Sequence, residues 1–346
     1  MQACVLHAVG DLRCEQLPDP APRAGEVLVR VAACGVCGSD IPRVFKTGTY
    51  RFPLIPGHEF AGEVVAVGEG VDTSLIGTRA AIFPLLPCFR CRPCLIGNYA
   101  MCTDYDYLGS RSNGAFAEYV CAPVWNVLPV HGALSLEEAA MTEPAAVALH
   151  ALRQGKVAES DHVLIFGAGP IGLLVAMWAR ALHAASVSIV DIDAEKLSFA
   201  RAQGFEQTFN ARDVNVVDRF KSLEDGGASL VIEASGSSVA FEQCMHTAAR
   251  LGRVVLLGNP EGGMQLTKEG YWAILRKQLT ITGSWNSSYN PSGRDDWRMC
   301  LDYMANGRLN VKPLITHRVD LPGLLDAMTM IRERKSFSNK VLFVNE

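Results

Sequence analysis

The stretch Val163-Leu164-Ile165-Phe166-Gly167-Ala168-Gly169-Pro170-Ile171-Gly172 constrains this chain more than any other. Four apolar residues suited to a buried strand run into a G-x-G-x-x-G turn, and an apolar segment of helical length follows. Gly167 permits a tight turn, Gly169 lets backbone approach a pyrophosphate, and Gly172 lets helix and strand pack closely. The helix opening at Pro170 and Ile171 offers free N–H groups and a positive dipole end to phosphates. The next predicted strand ends at Asp191, roughly 20 residues past the last glycine. A carboxylate there accepts hydrogen bonds from both ribose hydroxyls and repels a 2′-phosphate. No arginine immediately follows it, so the cofactor expected is NAD rather than NADP. Asp193, ahead of Ala194-Glu195-Lys196, reads as the cap of the next helix.

From Glu143-Pro144 onward, apolar strands alternate with helices. Strands are predicted at 163–166, 186–191, 230–233, 253–257 and 279–283, and helices at 171–182, 194–203 and 240–249. Alternation with short loops predicts a parallel, doubly wound sheet, so the chain is of the α/β class. The first third differs. Short β-branched runs at 27–31 and 62–68 stand between glycines and prolines, without long helices, and predict a β-barrel or sandwich. At 346 residues the chain is long enough for two such domains. After Trp285 come a predicted helix at about 294–305, a strand near 314–319, a last helix and a terminal strand. These either extend the sheet or return to the first domain.

Composition narrows the partners. Apolar residues make up 49% and charged residues 20%, which argues against disorder. A net charge of −4 leaves no basis for polyanion binding, so nucleic acid is not an expected partner. The longest apolar run, 163–179, is broken by Gly167, Gly169, Pro170 and Gly172, which suits strand, turn and helix rather than a membrane span. Met1-Gln2-Ala3-Cys4-Val5-Leu6-His7 lacks the basic and apolar regions of a signal peptide. Eleven cysteines then read as reduced thiols or metal ligands rather than a disulfide framework, and the expected compartment is the cytoplasm.

The cysteines divide by spacing. Cys88, Cys91, Cys94 and Cys102 form C-x2-C-x2-C-x7-C, which can close a tetrahedron around zinc on a loop with little core of its own. With every position filled by protein, such a zinc is structural. An iron–sulfur cluster and buried thiols are the alternatives, but nothing else suggests electron transfer. Cys4, Cys14, Cys34, Cys121, Cys244 and Cys300 lack metal spacing and read as core or neutral positions. A second set is dispersed: Cys37 with Ser39, the run Gly57-His58-Glu59, and Glu143-Pro144. Thiolate, imidazole and one or two carboxylates suit a zinc that keeps an open position. A core histidine and a helix-terminal carboxylate are the plainer readings of His58 and Glu143.

Taken together, these residues resemble the zinc-containing medium-chain dehydrogenase/reductase superfamily over nearly the whole chain. The resemblance implies a GroES-like catalytic domain at 1–144, to which 286–346 returns, and a Rossmann NAD-binding domain at 145–285. Glu143, where ethanol-type members have cysteine, is similar to the polyol, sorbitol-type branch. Cys37-Gly38-Ser39-Asp40-Ile41-Pro42-Arg43-Val44-Phe45-Lys46, Pro84-Leu85-Leu86-Pro87-Cys88-Phe89, Tyr105-Asp106-Tyr107-Leu108-Gly109-Ser110-Arg111 and Leu275-Arg276-Lys277-Gln278-Leu279-Thr280 resemble the galactitol-1-phosphate 5-dehydrogenase family. That implies NAD-linked oxidation of a sugar alcohol phosphate. Free polyols are the alternative substrates, and a non-catalytic NAD-binding scaffold is the alternative of a different class.

The resemblance carries over residue by residue. Cys37, His58, Glu59 and Glu143 match catalytic zinc positions, and the cysteine quartet matches the structural zinc, so two zinc ions per chain are expected. Whether Glu59 and Glu143 bind at once is left open. Ser39 matches the hydroxyl that contacts the reacting oxygen, while Pro42 stands where many members have a relay histidine. Arg43, Lys46 and Arg111 are candidate phosphate contacts. A homodimer or homotetramer, joined through the Rossmann sheet edge, is implied.

Overall fold

The computed structural model describes residues 1–222, 226–260, 262–291 and 295–345. The chain divides into two compact units, Met1–Glu143 with Ser288–Glu346, and Pro144–Ser287.

The first unit is built on a seven-stranded sheet. Its path runs Ile315–Val319, Lys340–Val344, Glu26–Gly35, Glu59–Val67, Arg79–Ile82 and Val127–Pro129, with Tyr119–Pro123 also paired to Glu26–Gly35. Along Glu26–Gly35, Val27, Val29, Val31 and Ala33 are buried while the residues between them are not, the period-two pattern of a strand with one face on a core. Val27, Val29 and Val31 pack in one cluster with Phe60, Val64, Ile82 and Phe116. The terminal strand lies antiparallel to Glu26–Gly35 with Leu342 opposite Gly35. The segment after Trp285 therefore belongs with the β-rich unit rather than extending the parallel sheet. Of the helix expected at about 294–305, Arg294 lies outside the described residues; the helix runs Asp296–Ala305, capped by Asp295, whose carboxylate accepts from the Arg298 N–H.

A different outcome awaits two cysteines. Cys4 and Cys14, expected to be core or neutral positions with reduced thiols, are joined by a disulfide. The strands Gln2–Ala8 and Asp11–Gln16 pair antiparallel with Cys4 directly opposite Cys14, and that register brings the two side chains together.

The second unit holds a six-stranded parallel sheet in the order Thr208–Asn210, Ser186–Asp191, His162–Phe166, Ala228–Glu233, Ala248–Leu256, Thr280–Gly283. The direction of strand addition reverses between His162–Phe166 and Ala228–Glu233, the switch point at which such sheets bind ligands beyond their carboxyl ends. Helix Pro170–Ala181 is buried at every residue from Gly172 to Ala179, which explains its uniformly apolar sequence. The helix expected at 240–249 runs Ser238–Thr247 and gives way to a strand that starts at Ala248, earlier than expected. Lys277 Nζ donates to the carbonyls of His246 and Ala248 at 2.7 and 2.6 Å, satisfying acceptors that a helix end leaves free. Among the described residues no helix is long and apolar enough to cross a membrane.

Candidate active site

The glycine turn of the second unit follows from steric limits. Gly167 has φ of 111°, and a Cβ on Gly172 would lie 1.8 Å from the Gly167 carbonyl oxygen; a side chain at either position forces the strand and helix apart. A Cβ on Gly169 would meet nothing within 4 Å, so this glycine leaves space open above the turn rather than relieving an internal clash. Gly169 caps the helix, and Pro170 at its first position fixes φ for helical entry; Ile171 follows, half-buried. Asp191 Oδ2 accepts from the Ala168 N–H at 2.7 Å, and Oδ1 accepts from Ile192 and Asp193 N–H groups, so its carboxylate ties the second strand to the turn. Asp193 caps the following helix as expected.

One residue here escaped the sequence reading. Glu233, buried at the end of Ala228–Glu233, accepts from the N–H groups of Ser235 and Gly236 and from Ser235 Oγ. It fixes the loop whose Ala234 backbone lies against Gly167.

In the first unit, strand register assembles the dispersed set. Gly35 lies opposite Glu59 in the antiparallel ladder, so Cys37 leaves one strand where His58 enters the other. A Cβ on Gly35 would fall 2.0 Å from Glu59 Oε2; the bare backbone makes room for that carboxylate. Cys37, His58 and Glu59 each offer a ligand atom, all within 4.8 Å of one another. Sulfur, imidazole nitrogen and carboxylate oxygen at this separation fit a zinc with an open coordination position.

The surroundings of this cluster are charged and dry. Glu59 and Lys340 are 1% and 2% exposed, and Lys340 Nζ donates to both Glu59 oxygens at 2.9 and 2.7 Å. Asp40, fully buried, accepts from the Cys37 N–H at 3.0 Å and from Arg43 Nη1 at 3.1 Å. Its Oδ1 lies 3.5 Å from His58 Nδ1, an electrostatic contact too long for a good hydrogen bond. Burial opposes charge on His58, yet the Asp40 and Cys37 charges outweigh it and hold the imidazole well above its usual range. Ser39 Oγ donates to Cys37 Sγ at 3.2 Å and accepts from Arg43 Nη1 at 2.9 Å. Nothing in the sequence pattern pointed to Lys340 or Asp40.

Glu143 stands apart from the Cys37, His58 and Glu59 set, and its Oε1 accepts from Tyr107 OH at 3.2 Å. Burial is the main cause that pushes its carboxyl up to about 7. The Tyr107 ring meets His58 edge-on at 5.7 Å. Of the candidate phosphate contacts, Arg43 is drawn into the Ser39–Asp40 network, Lys46 is exposed on the π-helical turn Arg43–Thr47, and Arg111 lies between Tyr50 and Tyr105.

The cysteine quartet comes together on its own loop, all four sulfurs within 4.8 Å of one another. Cys91 lies 3.4 Å from Cys94 and 3.8 Å from Cys102, against roughly 3.8 Å for the edge of a zinc–thiolate tetrahedron. The Thr103 and Cys94 backbone N–H groups draw Cys91 down to about 6, while burial pushes Cys94 up to about 12. Four thiolates need a cation to coexist there, and zinc fits. Phe89, Tyr99, Trp125 and Tyr289 brace the loop edge-on, with ring centroids 4.8 to 5.6 Å apart.

Comparison with known proteins agrees with this chemistry. The family models for the alcohol dehydrogenase GroES-like domain and for zinc-binding dehydrogenases match residues 23–132 and 170–306. The galactitol 1-phosphate 5-dehydrogenase of Escherichia coli K12 is 38% identical over 320 residues, covering 92% of each chain. The chain belongs to the zinc-containing medium-chain dehydrogenase family. Sorbitol dehydrogenase of Bacillus subtilis is 30% identical, over 99% of this chain and 96% of its own, which sets the chain in the polyol branch of the family. The crystal structure of galactitol-1-phosphate dehydrogenase from Escherichia coli superposes with a TM-score of 0.93 at 36% identity, covering 100% of both chains. The GroES-like and Rossmann folds and an oxidoreductase activity of the zinc-dependent, NAD(P)-linked type follow from that membership.

Proposed function

We propose that this chain oxidises a secondary hydroxyl of a sugar alcohol phosphate with NAD, the best-fitting reaction being galactitol 1-phosphate to tagatose 6-phosphate. The observation that carries the reading is the convergence of Cys37, His58 and Glu59 within 4.8 Å in a chain 38% identical to the galactitol 1-phosphate 5-dehydrogenase of Escherichia coli K12. Cys37, His58 and Glu59 hold a catalytic zinc, with Glu143 as an exchangeable fourth ligand. Cys88, Cys91, Cys94 and Cys102 hold a structural one.

When bound, zinc supplies the Lewis acidity that makes an alcohol proton removable near neutral pH, and the nicotinamide accepts the hydride. The chain's own residues do the rest. The buried Asp40 carboxylate, 3.5 Å from Nδ1, faces the His58 ring on the side away from the proposed metal and acts on it electrostatically, as carboxylates beside metal-ligating histidines do. The Lys340 ammonium offsets the Glu59 charge, so a ligand set with two anions keeps a net positive centre, which favours an ionised substrate oxygen. Each Glu59 oxygen retains a lone pair beyond those given to Lys340. Ser39 Oγ is positioned to receive the substrate hydroxyl proton, and from there the proton leaves by water, since Pro42 offers no imidazole. Asp191 binds the adenosine ribose hydroxyls, and the Gly167–Gly169–Gly172 turn with Pro170 and Ile171 takes the pyrophosphate. The secondary alcohol loses one hydride and one proton and becomes a ketone.

The test is NADH absorbance over phosphorylated and free alditols, with and without a chelator. Galactitol 1-phosphate is expected to exceed galactitol in kcat/KM at least tenfold, equivalent to about 1.4 kcal/mol. Equal turnover of both overturns the phosphate reading, and turnover that survives complete zinc removal overturns the metal reading.

A further inference from the structure

The three cations that could meet a phosphate are not equivalent. Arg43 spends its charge on Asp40 and its hydrogen bonds on Asp40 and Ser39, so a dianion beside it also meets a buried carboxylate. Lys46 is exposed, and its flexible stem loses rotamer freedom whenever it is pinned. Arg111 differs from both. Its guanidinium carbon lies 4.2 Å from the Tyr50 ring centroid and 4.1 Å from that of Tyr105, and one Nη1 hydrogen bond goes to the Tyr105 carbonyl at 3.0 Å. Among the described residues it pairs with no carboxylate. Two ring faces flank the guanidinium and hold it in place, and the N–H groups not engaged with Tyr50 and Tyr105 are left to meet an anion.

The loop that carries Arg111 is anchored on the candidate zinc ligands. The Tyr107 carbonyl accepts from the N–H groups of Ser110, Arg111 and Ser112 at 3.2, 2.9 and 3.1 Å, winding the loop tightly about Tyr107. Gly109 and Gly114 then pack on the residue ahead of His58: a Cβ on either would lie 2.3 or 2.2 Å from the Gly57 carbonyl oxygen. Tyr107 touches His58 on one side, and its ring centroid is 6.3 Å from that of Tyr105 on the other. A continuous row of rings thus leads from the ligand histidine to the clamped arginine.

We propose that Arg111, clamped between Tyr50 and Tyr105, is the residue that recognises the phosphomonoester end of the substrate and sets the preference for phosphorylated over free sugar alcohols. The inference rests on the sugar alcohol phosphate reading above. Its measure is the ratio of kcat/KM for galactitol 1-phosphate to that for galactitol, together with competitive inhibition by inorganic phosphate. Arg111→Ala lowers the ratio at least tenfold and weakens phosphate inhibition to a similar extent. Arg111→Lys, which keeps the charge and loses the plane, falls between the two. Tyr50→Leu with Tyr105→Leu lowers the ratio several-fold although Arg111 is still present.

The outcomes separate. If the wild-type ratio is large and both Arg111 variants retain it within twofold, the clamp assignment is overturned while the substrate reading stands. If Lys46→Ala collapses the ratio and the Arg111 variants do not, the phosphate belongs to Lys46. A wild-type ratio near one with no inhibition by phosphate overturns both readings.

Discussion

Replacing Lys340 by methionine tests the energetics of the candidate zinc pocket more directly than any ligand substitution. Lys340 and Glu59 are both almost wholly buried, and the ammonium meets both carboxylate oxygens at hydrogen-bond distance. Removing one member of such a pair strands the other charge and costs about 3–5 kcal/mol. With a urea slope of roughly 2–3 kcal/mol/M, that lowers the midpoint of the metal-free protein by about 1–2.5 M. In the zinc-loaded protein a second cation stands beside Glu59, so the same substitution costs less. The assay is urea unfolding by circular dichroism, wild type against Lys340→Met, each with chelator and with zinc. The double variant Glu59→Gln with Lys340→Met leaves no charge unpaired and is expected to recover half or more of the loss. If the metal-free midpoints agree within about 0.3 M, the buried pair does not carry the energy assigned to it, and the reasoning fails.

Three further outcomes follow from the geometry. Gly35→Ala puts a methyl where the Glu59 carboxylate lies and should reduce zinc by elemental analysis from about two to about one per chain, the cysteine quartet keeping its metal; an unchanged zinc content refutes Glu59 as a ligand. Gly169→Ala meets nothing in the protein whereas Gly172→Ala meets the Gly167 carbonyl. The first should keep the wild-type melting temperature and weaken NADH binding by fluorescence titration, and the second should lower both; matching losses of stability would contradict this division. Tyr271 and Leu275 are exposed on helix Lys268–Lys277, which precedes the edge strand Thr280–Gly283. The family resemblance implies an oligomer joined at this sheet edge, so replacing both by glutamate should reduce the mass seen by light scattering toward the monomer; a wild-type monomer, or an oligomer the substitutions leave unchanged, overturns that placement.

What could be read from the sequence follows the distance over which each feature is encoded. The glycine turn and the cysteine quartet lie within ten and fifteen consecutive residues, so spacing alone exposes their geometry. Cys37, His58 and Glu59 became a set through family resemblance, and in space they meet because Gly35 and Glu59 are register partners. Lys340 reaches Glu59 across a separation of 281 residues, and no local pattern distinguishes a lysine that opens a terminal strand from one that is solvated. Asp40 carries no local signal in the sequence; its role appears only when the His58 ring stands opposite. Cys4 and Cys14 were misjudged because composition speaks to redox compartment, whereas their bond depends on hairpin register. Arg43, Lys46 and Arg111 carry the same charge on the page and differ only in their neighbours.

The return of the last strand to the first sheet bears on how the protein is made. The Gly35 end of Glu26–Gly35 pairs with Lys340–Val344, so as the ribosome synthesises the chain this backbone edge waits unpaired until the whole second unit has emerged. An open edge of this kind invites mispairing with other chains. Because Lys340 arrives on the same late strand, the neutralising partner of Glu59 is absent while the second unit is being synthesised. The pocket proposed for the catalytic ion is therefore completed only once the strand that follows the second unit has been made, so metal loading there is expected to come after synthesis of that unit.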